Sequence, residues 1–264
     1  MKYILEKELA DGLKTLGLKE GDTVMVHSSL FSLGLIRGIP PAEQAKAYLK
    51  ILQHSVGDEG TLLAPAFNFD FCNGKPFHRQ NSPSVGMGIL SETIRTHKNA
   101  CRSKHPMQSV AVLGRKSEWI TGPDTNSSFS IGGAIHRFIE SNGKLLLLGS
   151  SIMAAALIHW AEERLEVPYR YWKSFHGDYI DDKENISEVR TYQMYARDLK
   201  LNPILDLKPL ENALKELGLM DELSLGMGTV KVIESAAFIQ TAQKLLEEDP
   251  YSLLENAEEI RGLI

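Results

Sequence analysis

The sequence predicts an α/β fold: a single layered domain on a central mixed, largely parallel sheet flanked by helices, with a C-terminal helical and strand elaboration. Short apolar runs recur at "TVMVHSSL", "GTLLAPAFN", "SVAVLG" and "GKLLLLGS", three of the four introduced or closed by glycine. Helical patterns such as "AEQAKAYLKILQHSV" and "VGMGILSETIRTH" alternate with them, the rhythm of a sheet covered on both faces. The 264 residues, 43% hydrophobic and 24% charged, suffice for one large domain of this class.

In chain order, "EKELADGLKTLGLKEGD" carries apolar residues at helical spacing and breaks at Gly17 and Gly21, so it reads as helix, turn and entry to the strand "TVMVHSSL". The layered pattern continues to about residue 170. From 178 to 224 the text is more polar, with prolines at 203 and 209, and reads as a substrate-side insertion within one domain spanning 1–264. "SAAFIQTAQKLLEEDPYSLL" is an amphipathic helix stopped near Pro250. Internal repeats and low-complexity tracts are absent from the sequence.

A net charge of −5 argues against a nucleic-acid binder, which carries a basic stripe or a positive balance. Cys72 and Cys101 form no C-x-x-C pair and no disulfide framework; they read as buried small hydrophobes in a reducing compartment. The N-terminal stretch lacks a signal-peptide apolar core and no run approaches a membrane span, so the expectation is a cytoplasmic protein without membrane partners.

Three segments carry candidate chemistry. "VHSSLFSLG", residues 26–34, leaves a strand with three serines and a closing Gly34, a setting in which hydroxyls and backbone N–H groups wrap a polar ligand. It is not a phosphate-binding G-x-x-x-x-G-K-[ST] loop. In "CRSKHPMQSVAVLG", a basic, hydroxyl-rich loop enters a strand; Pro106 biases His105 toward an extended backbone, and Arg102 and Lys104 suit phosphate. In "GSSIMAAALIHWAEERLEVPYR", a Gly-Ser-Ser turn feeds a helix that places His159 and Glu162 one turn apart, so the carboxylate can orient the imidazole while its other nitrogen takes a proton. The same spacing also suits an ordinary surface pair. With no H-E-x-x-H, one histidine and one carboxylate leave a zinc site short of ligands, and no metal is expected.

Seven segments in order, "VHSSLFSLG", "GTLLAPAFNF", "SPSVGMGILSETIR", "RSKHPMQSVAVLG", "NGKLLLLGS", "LIHWAEERLEVPYR" and "VKVIESAAFIQTAQKLLEEDPYSLL", resemble the aminoglycoside 3-N-acetyltransferase family, antibiotic acetyltransferases outside the common GNAT type. The resemblance implies acetyl-CoA as co-substrate, His159 as general base with Glu162 beside it, and a small-molecule amine acceptor. It implies that Ser28, Ser29, Leu30, Phe31, Ser32, Leu33 and Gly34, together with Arg102, Ser103, His105, Ser109, Val110 and Ala111, help to hold coenzyme A. An oxyanion donor is expected among Ser28 to Ser32 or at Ser109.

One position departs from the family. Its aminoglycoside-modifying members carry threonine three residues before the histidine, and this chain has Ala156. The acidic group Asp178, Asp181, Asp182 and Glu184 suits a polycationic acceptor, and "YRYWKSF", beginning at Tyr169, offers an aromatic wall for a sugar ring.

The leading expectation is therefore acetyl transfer from acetyl-CoA to the 3-amino group of an aminoglycoside, an antibiotic-resistance activity. The alternatives are an N-acyltransferase of a biosynthetic amino sugar or other metabolite amine, and a non-catalytic coenzyme A-binding paralogue. A hydrolase built on Ser28 or Ser29 with His159 would need a G-x-S-x-G elbow, which the sequence lacks. The oligomeric state stays open, with a homodimer among the options.

Overall fold

The computed structural model describes residues 2–264. The first half carries β1 (Tyr3–Ile4), α1 (Glu6–Thr15), β2 (Thr23–Ser28), α2 (Leu30–Leu33), β3 (Leu35–Ile36), α3 (Gln44–Val56), β4 (Thr61–Pro65), β5 (Phe77–His78), α4 (Ile89–Arg95), β6 (Cys101–Arg102), β7 (Val110–Gly114) and α5 (Ser117–Thr121). The second carries α6 (Ala134–Glu140), β8 (Lys144–Leu148), α7 (Ile158–Arg164), β9 (Arg170–Asp181), β10 (Ile186–Arg197), α8 (Lys208–Glu216), β11 (Met220–Leu225), β12 (Gly228–Glu234), α9 (Ser235–Glu248) and α10 (Ala257–Arg261).

The main sheet has the order β11-β12-β8-β2-β4-β7-β6. Only β8, β2 and β4 run parallel to their neighbours at the centre; β12, β7 and the two edge strands pair antiparallel. The mixed sheet matches expectation, whereas "largely parallel" does not. The reason lies in chain order: β12 returns from the C-terminal region against β8, and after α4 the chain runs through β6 and turns back into β7, which meets β4 antiparallel.

Period-two alternation divides the core. Met25, Leu63, Val112, Leu145 and Leu147 face α6, α7 and α9, while Val24, Val26, Leu62, Leu146 and Leu148 face α1, α3 and α4. Both faces are thus sealed, which is why these strands read as continuous apolar runs. By the same alternation His27 lies on the α7 side, two residues after Met25.

The chain from 170 onward is not an appendage. β9 and β10 form a twelve-residue-per-strand hairpin, Arg170 opposite Arg197 and Asp181 opposite Ile186, which begins directly after α7. Residue 178 falls inside β9, so the expected start of the insertion is no structural boundary. Further on, α8 packs against α9, and β11 with β12 extends the main sheet. α9 ends at Glu248, two residues before Pro250. Cys72 and Cys101 are free and only half-buried.

Candidate active site

The turn after β8 fixes where α7 begins. Gly149 has φ +72°, and a Cβ there would lie 2.6 Å from the Ser29 carbonyl oxygen, so only glycine lets β8 turn this close to the end of β2. Ser150 Oγ donates to the His27 carbonyl at 3.0 Å and ties the same turn to β2. The chain then enters α7, whose Ile158 and Ala161 are buried against the sheet.

His159 and Glu162 project from one face of this helix. His159 Nδ1 lies 2.5 Å from Glu162 Oε2. Arg170, the first residue of β9, brings Nη2 to 3.0 Å from the same oxygen, and Tyr169 Oη donates to Oε1 at 3.1 Å. Burial alone would push the Glu162 carboxyl up; the charges of His159 and Arg170 and their hydrogen bonds outweigh it and hold it below the ordinary carboxylate range. Glu162 is therefore an anion sealed at 0% exposure. With Nδ1 engaged, Nε2 of His159 is the nitrogen left for a substrate proton. Phe129 sets its edge against the imidazole, with ring centres 5.7 Å apart. The neighbouring Glu163 takes no part, since Ser127 and Arg164 occupy its oxygens.

His159 stands between two cavities. One, of about 380 Å³, lies at the end of β2 and is walled by His27, Ser28, Phe67, Gly86 to Gly88, Ser91 and Met153 to Ala156. The other, of about 440 Å³, opens at the base of the hairpin among Arg170, Tyr171, Lys173, Tyr195 and Arg197. Leu205 also borders both. A group in either cavity thus has access to the same imidazole.

His27 was not singled out by the sequence. It is buried, and burial lowers it to about 4, so the ring is neutral at physiological pH. Its Nε2 is buried without a hydrogen-bond partner. In the sequence its only signal is a histidine inside an apolar strand, on the face that α7 covers. Arg170 closes the quoted "LIHWAEERLEVPYR", yet nothing in the spacing shows that β9 brings it back to Glu162.

The segments expected to hold coenzyme A divide sharply. Ser28 walls the first cavity. Ser29 and Ser32 hydrogen-bond each other at 2.7 Å, Leu30 and Leu33 are core residues, Phe31 is 73% exposed, and Gly34 makes a turn at φ +131°.

Arg102, Ser103, His105, Ser109, Val110 and Ala111 are all buried, and the side-chain polar groups among them bond within the protein. Arg102 is buried and donates to Ser109 Oγ, the Ser82 carbonyl and the Ala66 carbonyl at 2.8, 2.5 and 2.7 Å. Burial first, then the charge of Arg95, lowers it to about 9. Ser103 Oγ accepts from Val110 N, and Ser109 Oγ donates to Ala66, which removes Ser109 as an oxyanion donor. His105 is buried, Nδ1 accepting from Gln108 N and Nε2 3.1 Å from the Gln193 carbonyl. Val110 and Ala111 are core residues of β7. Lys104 pairs with Glu184.

The acidic residues also lie elsewhere. Asp181 is sealed beneath Arg79, with Nη1 2.6 Å from Oδ2, and Gln80 donates to its other oxygen. Asp182 lies 3.9 Å from His78. Asp178 is exposed eight residues along β9 from Arg170, about 26 Å at the rise of an extended strand. Tyr169 is buried behind Glu162 and forms no substrate wall. Among the described residues no histidine, cysteine or carboxylate cluster suits a metal ion, and no helix is long and apolar enough to cross a membrane.

Known proteins share both sequence and fold with the chain. The family model for aminoglycoside 3-N-acetyltransferase matches residues 25–247. Aminoglycoside N(3)-acetyltransferase III of Salmonella sp is 28% identical over 189 residues, 64% of each chain, so the chain spans under two thirds of that relative's length. Aminoglycoside N(3)-acetyltransferase IV of Salmonella sp is 26% identical over 260 residues, 96% of this chain and 92% of the other.

Among solved structures, "AAC-IIIb binary with CoASH" has the same fold at a TM-score of 0.80 and 23% identity, covering 93% of this chain and 97% of that one. The apoenzyme of aminoglycoside acetyltransferase AAC(3)-IVa aligns at a TM-score of 0.77 and 25% identity, covering 98% and 97%. With the family model matching most of its length, the chain belongs to the aminoglycoside 3-N-acetyltransferase family.

Proposed function

We propose that the chain is an acetyl-CoA-dependent N-acetyltransferase acting on an amino group of an aminosugar, the compound class that includes the aminoglycosides for which its relatives are named. The observation that carries this reading is the His159–Glu162 pair at 2.5 Å, placed where two cavities meet. One cavity takes the acyl donor and the other the amine.

The β2-end cavity suits the acetyl thioester, because Ser28 lies on its wall and the glycine-bearing loop 86–88 allows close approach of a ligand to backbone. The structure described as "AAC-IIIb binary with CoASH" supports a coenzyme in this fold. The hairpin cavity then receives the acceptor.

The transfer is direct. The amine nitrogen attacks the acetyl carbonyl carbon, and His159 Nε2 takes the proton that the nitrogen sheds. Glu162 and Arg170 hold the ring in place, and the Glu162 charge stabilises the imidazolium as it forms. The tetrahedral intermediate collapses with cleavage of the carbon–sulfur bond, and the proton on His159 passes to the departing thiolate.

The developing oxyanion needs a donor in a dry site. Ser109 and Ser150 donate their hydroxyls to backbone carbonyls and Ser29 pairs with Ser32, whereas Ser28 and His27 wall the cavity, His27 with Nε2 unpartnered. A neutral imidazole N–H there serves as the electrophile that polarises the carbonyl. Ala156, where aminoglycoside-modifying members carry threonine, leaves a methyl group on the same wall and increases the reliance on other donors.

The test is a mass-spectrometric search for the acetylated amine, matched mole for mole by thiol release from acetyl-CoA. Acetate without acetylated amine would mean hydrolysis and would refute the reading.

A further inference from the structure

The hairpin cavity carries charge of one sign. Its fully charged lining residues are Arg170, Lys173 and Arg197. Arg170 is neutralised by Glu162, whereas Lys173 and Arg197 meet no carboxylate partner among the described residues. Lys173 lies over the Phe175 ring, 5.2 Å from its centre, in the cavity wall. Tyr171 and Lys173 alternate onto one face of β9, opposite Ala196 and Met194 of β10, and all four line the cavity.

The nearby carboxylates are turned elsewhere. Glu162 is sealed behind His159, Asp198 accepts from Lys200 N, Glu188 pairs with Arg190, and Asp181 and Glu184 bind Arg79 at the far end of the hairpin. A polycationic acceptor would thus meet an excess of like charge here, offset only in part by exposed Glu166, whose charge acts on Tyr195 of the cavity wall.

We infer that the acceptor is an amine that also bears an anionic group, a phosphate or a carboxylate, held by Lys173 and Arg197 while its amine lies against His159. This rests on the acetyl-transfer reading and narrows its substrate class. Lys173 is three residues along β9 from Arg170, about 10 Å at strand rise and on the alternate face, and Lys173, Arg197 and His159 all border this one cavity. The cavity of about 440 Å³ is in the range for such a molecule. Arg and Lys together supply the charge-assisted hydrogen bonds that an anion requires.

The experiment follows thiol release from acetyl-CoA with glucosamine, glucosamine 6-phosphate, muramic acid and kanamycin, in the wild type and in a double variant, Lys173→Glu with Arg197→Glu. Both side chains are at the surface, so folding should tolerate the change, and a melting curve checks it. For the wild type, kcat/KM for glucosamine 6-phosphate or muramic acid should exceed that for glucosamine by about tenfold or more, and the double variant should abolish that ratio. Which of the two anionic amines gains identifies phosphate or carboxylate.

Turnover of kanamycin in preference to both anionic amines would overturn the inference while leaving acetyl transfer intact. Loss of acetyl-CoA affinity in the double variant, with the acceptor ratio unchanged, would also overturn it by assigning these cations to the coenzyme. Thiol release with none of the four amines would remove the acetyl-transfer reading and this inference together.

Discussion

His159 Nδ1 lies 2.5 Å from Glu162 Oε2, and the carboxylate it meets is sealed from solvent by Arg170 and Tyr169. A buried carboxylate with this many donors is built to stay ionised, and its role is to fix the ring and its tautomer. Glu162→Gln keeps the shape and removes the charge. It is expected to lower kcat by about 10²–10⁴-fold, with the acetyl-CoA dissociation constant unchanged, measured by steady-state kinetics and calorimetry.

Removing His27 tests the oxyanion assignment. His27→Phe keeps the ring volume and loses the N–H, so kcat should fall by about 10²–10³-fold. His27→Asn restores a donor and should recover part of the loss. Equal rates in both variants and the wild type, with melting curves showing folded protein, would remove His27 from the reaction.

Arg102 should behave as a structural residue. Its guanidinium satisfies the carbonyls of Ser82 and Ala66, so Arg102→Ala leaves buried acceptors unpaired and should cost on the order of 2–4 kcal/mol in urea unfolding. Coenzyme A affinity should not change. A selective loss of coenzyme affinity at full stability would restore the phosphate role that the sequence suggested.

Glu92 gives a pH signature. The hydrogen bond from Arg95 lowers its carboxyl to about 2; burial acts upward and Ser84 adds to the lowering. A folded-state value below the ordinary 4.5 means that its contribution is complete above 4.5 and disappears as pH falls toward 2. The stability difference between wild type and Glu92→Gln should therefore be constant near neutrality and close between pH 4.5 and 2, read from urea melts across that window.

The parts of the fold visible in the sequence are those buried on two faces. Leu145 to Leu148 are all sealed, and such runs have no alternative reading as surface. The hairpin of β9 and β10 escaped because most of its residues are exposed or half-buried, so neither face shows a clean apolar alternation. The direction of β12 and β7 was hidden as well, since pairing sense depends on which strand is met in space.

The same division runs through the site. His159 and Glu162 are legible because helix geometry converts a spacing of three into proximity. His27 and Arg170 reach the site across strands, so no spacing announces them. Basic and hydroxyl residues around Arg102 looked like ligand contacts because sequence does not distinguish donors aimed at a phosphate from donors aimed at the protein's own carbonyls. Likewise, Asp181 seemed available to a cation until Arg79, a hundred residues earlier, proved to hold it.

The most direct test of the central claim compares His159→Ala with the wild type in thiol release from acetyl-CoA, with a turned-over amine present and absent. The expected result is amine-dependent release that falls by about 10²-fold or more in the variant while acetyl-CoA still binds with wild-type affinity. Amine-dependent release that continues at the wild-type rate without the imidazole would contradict the account.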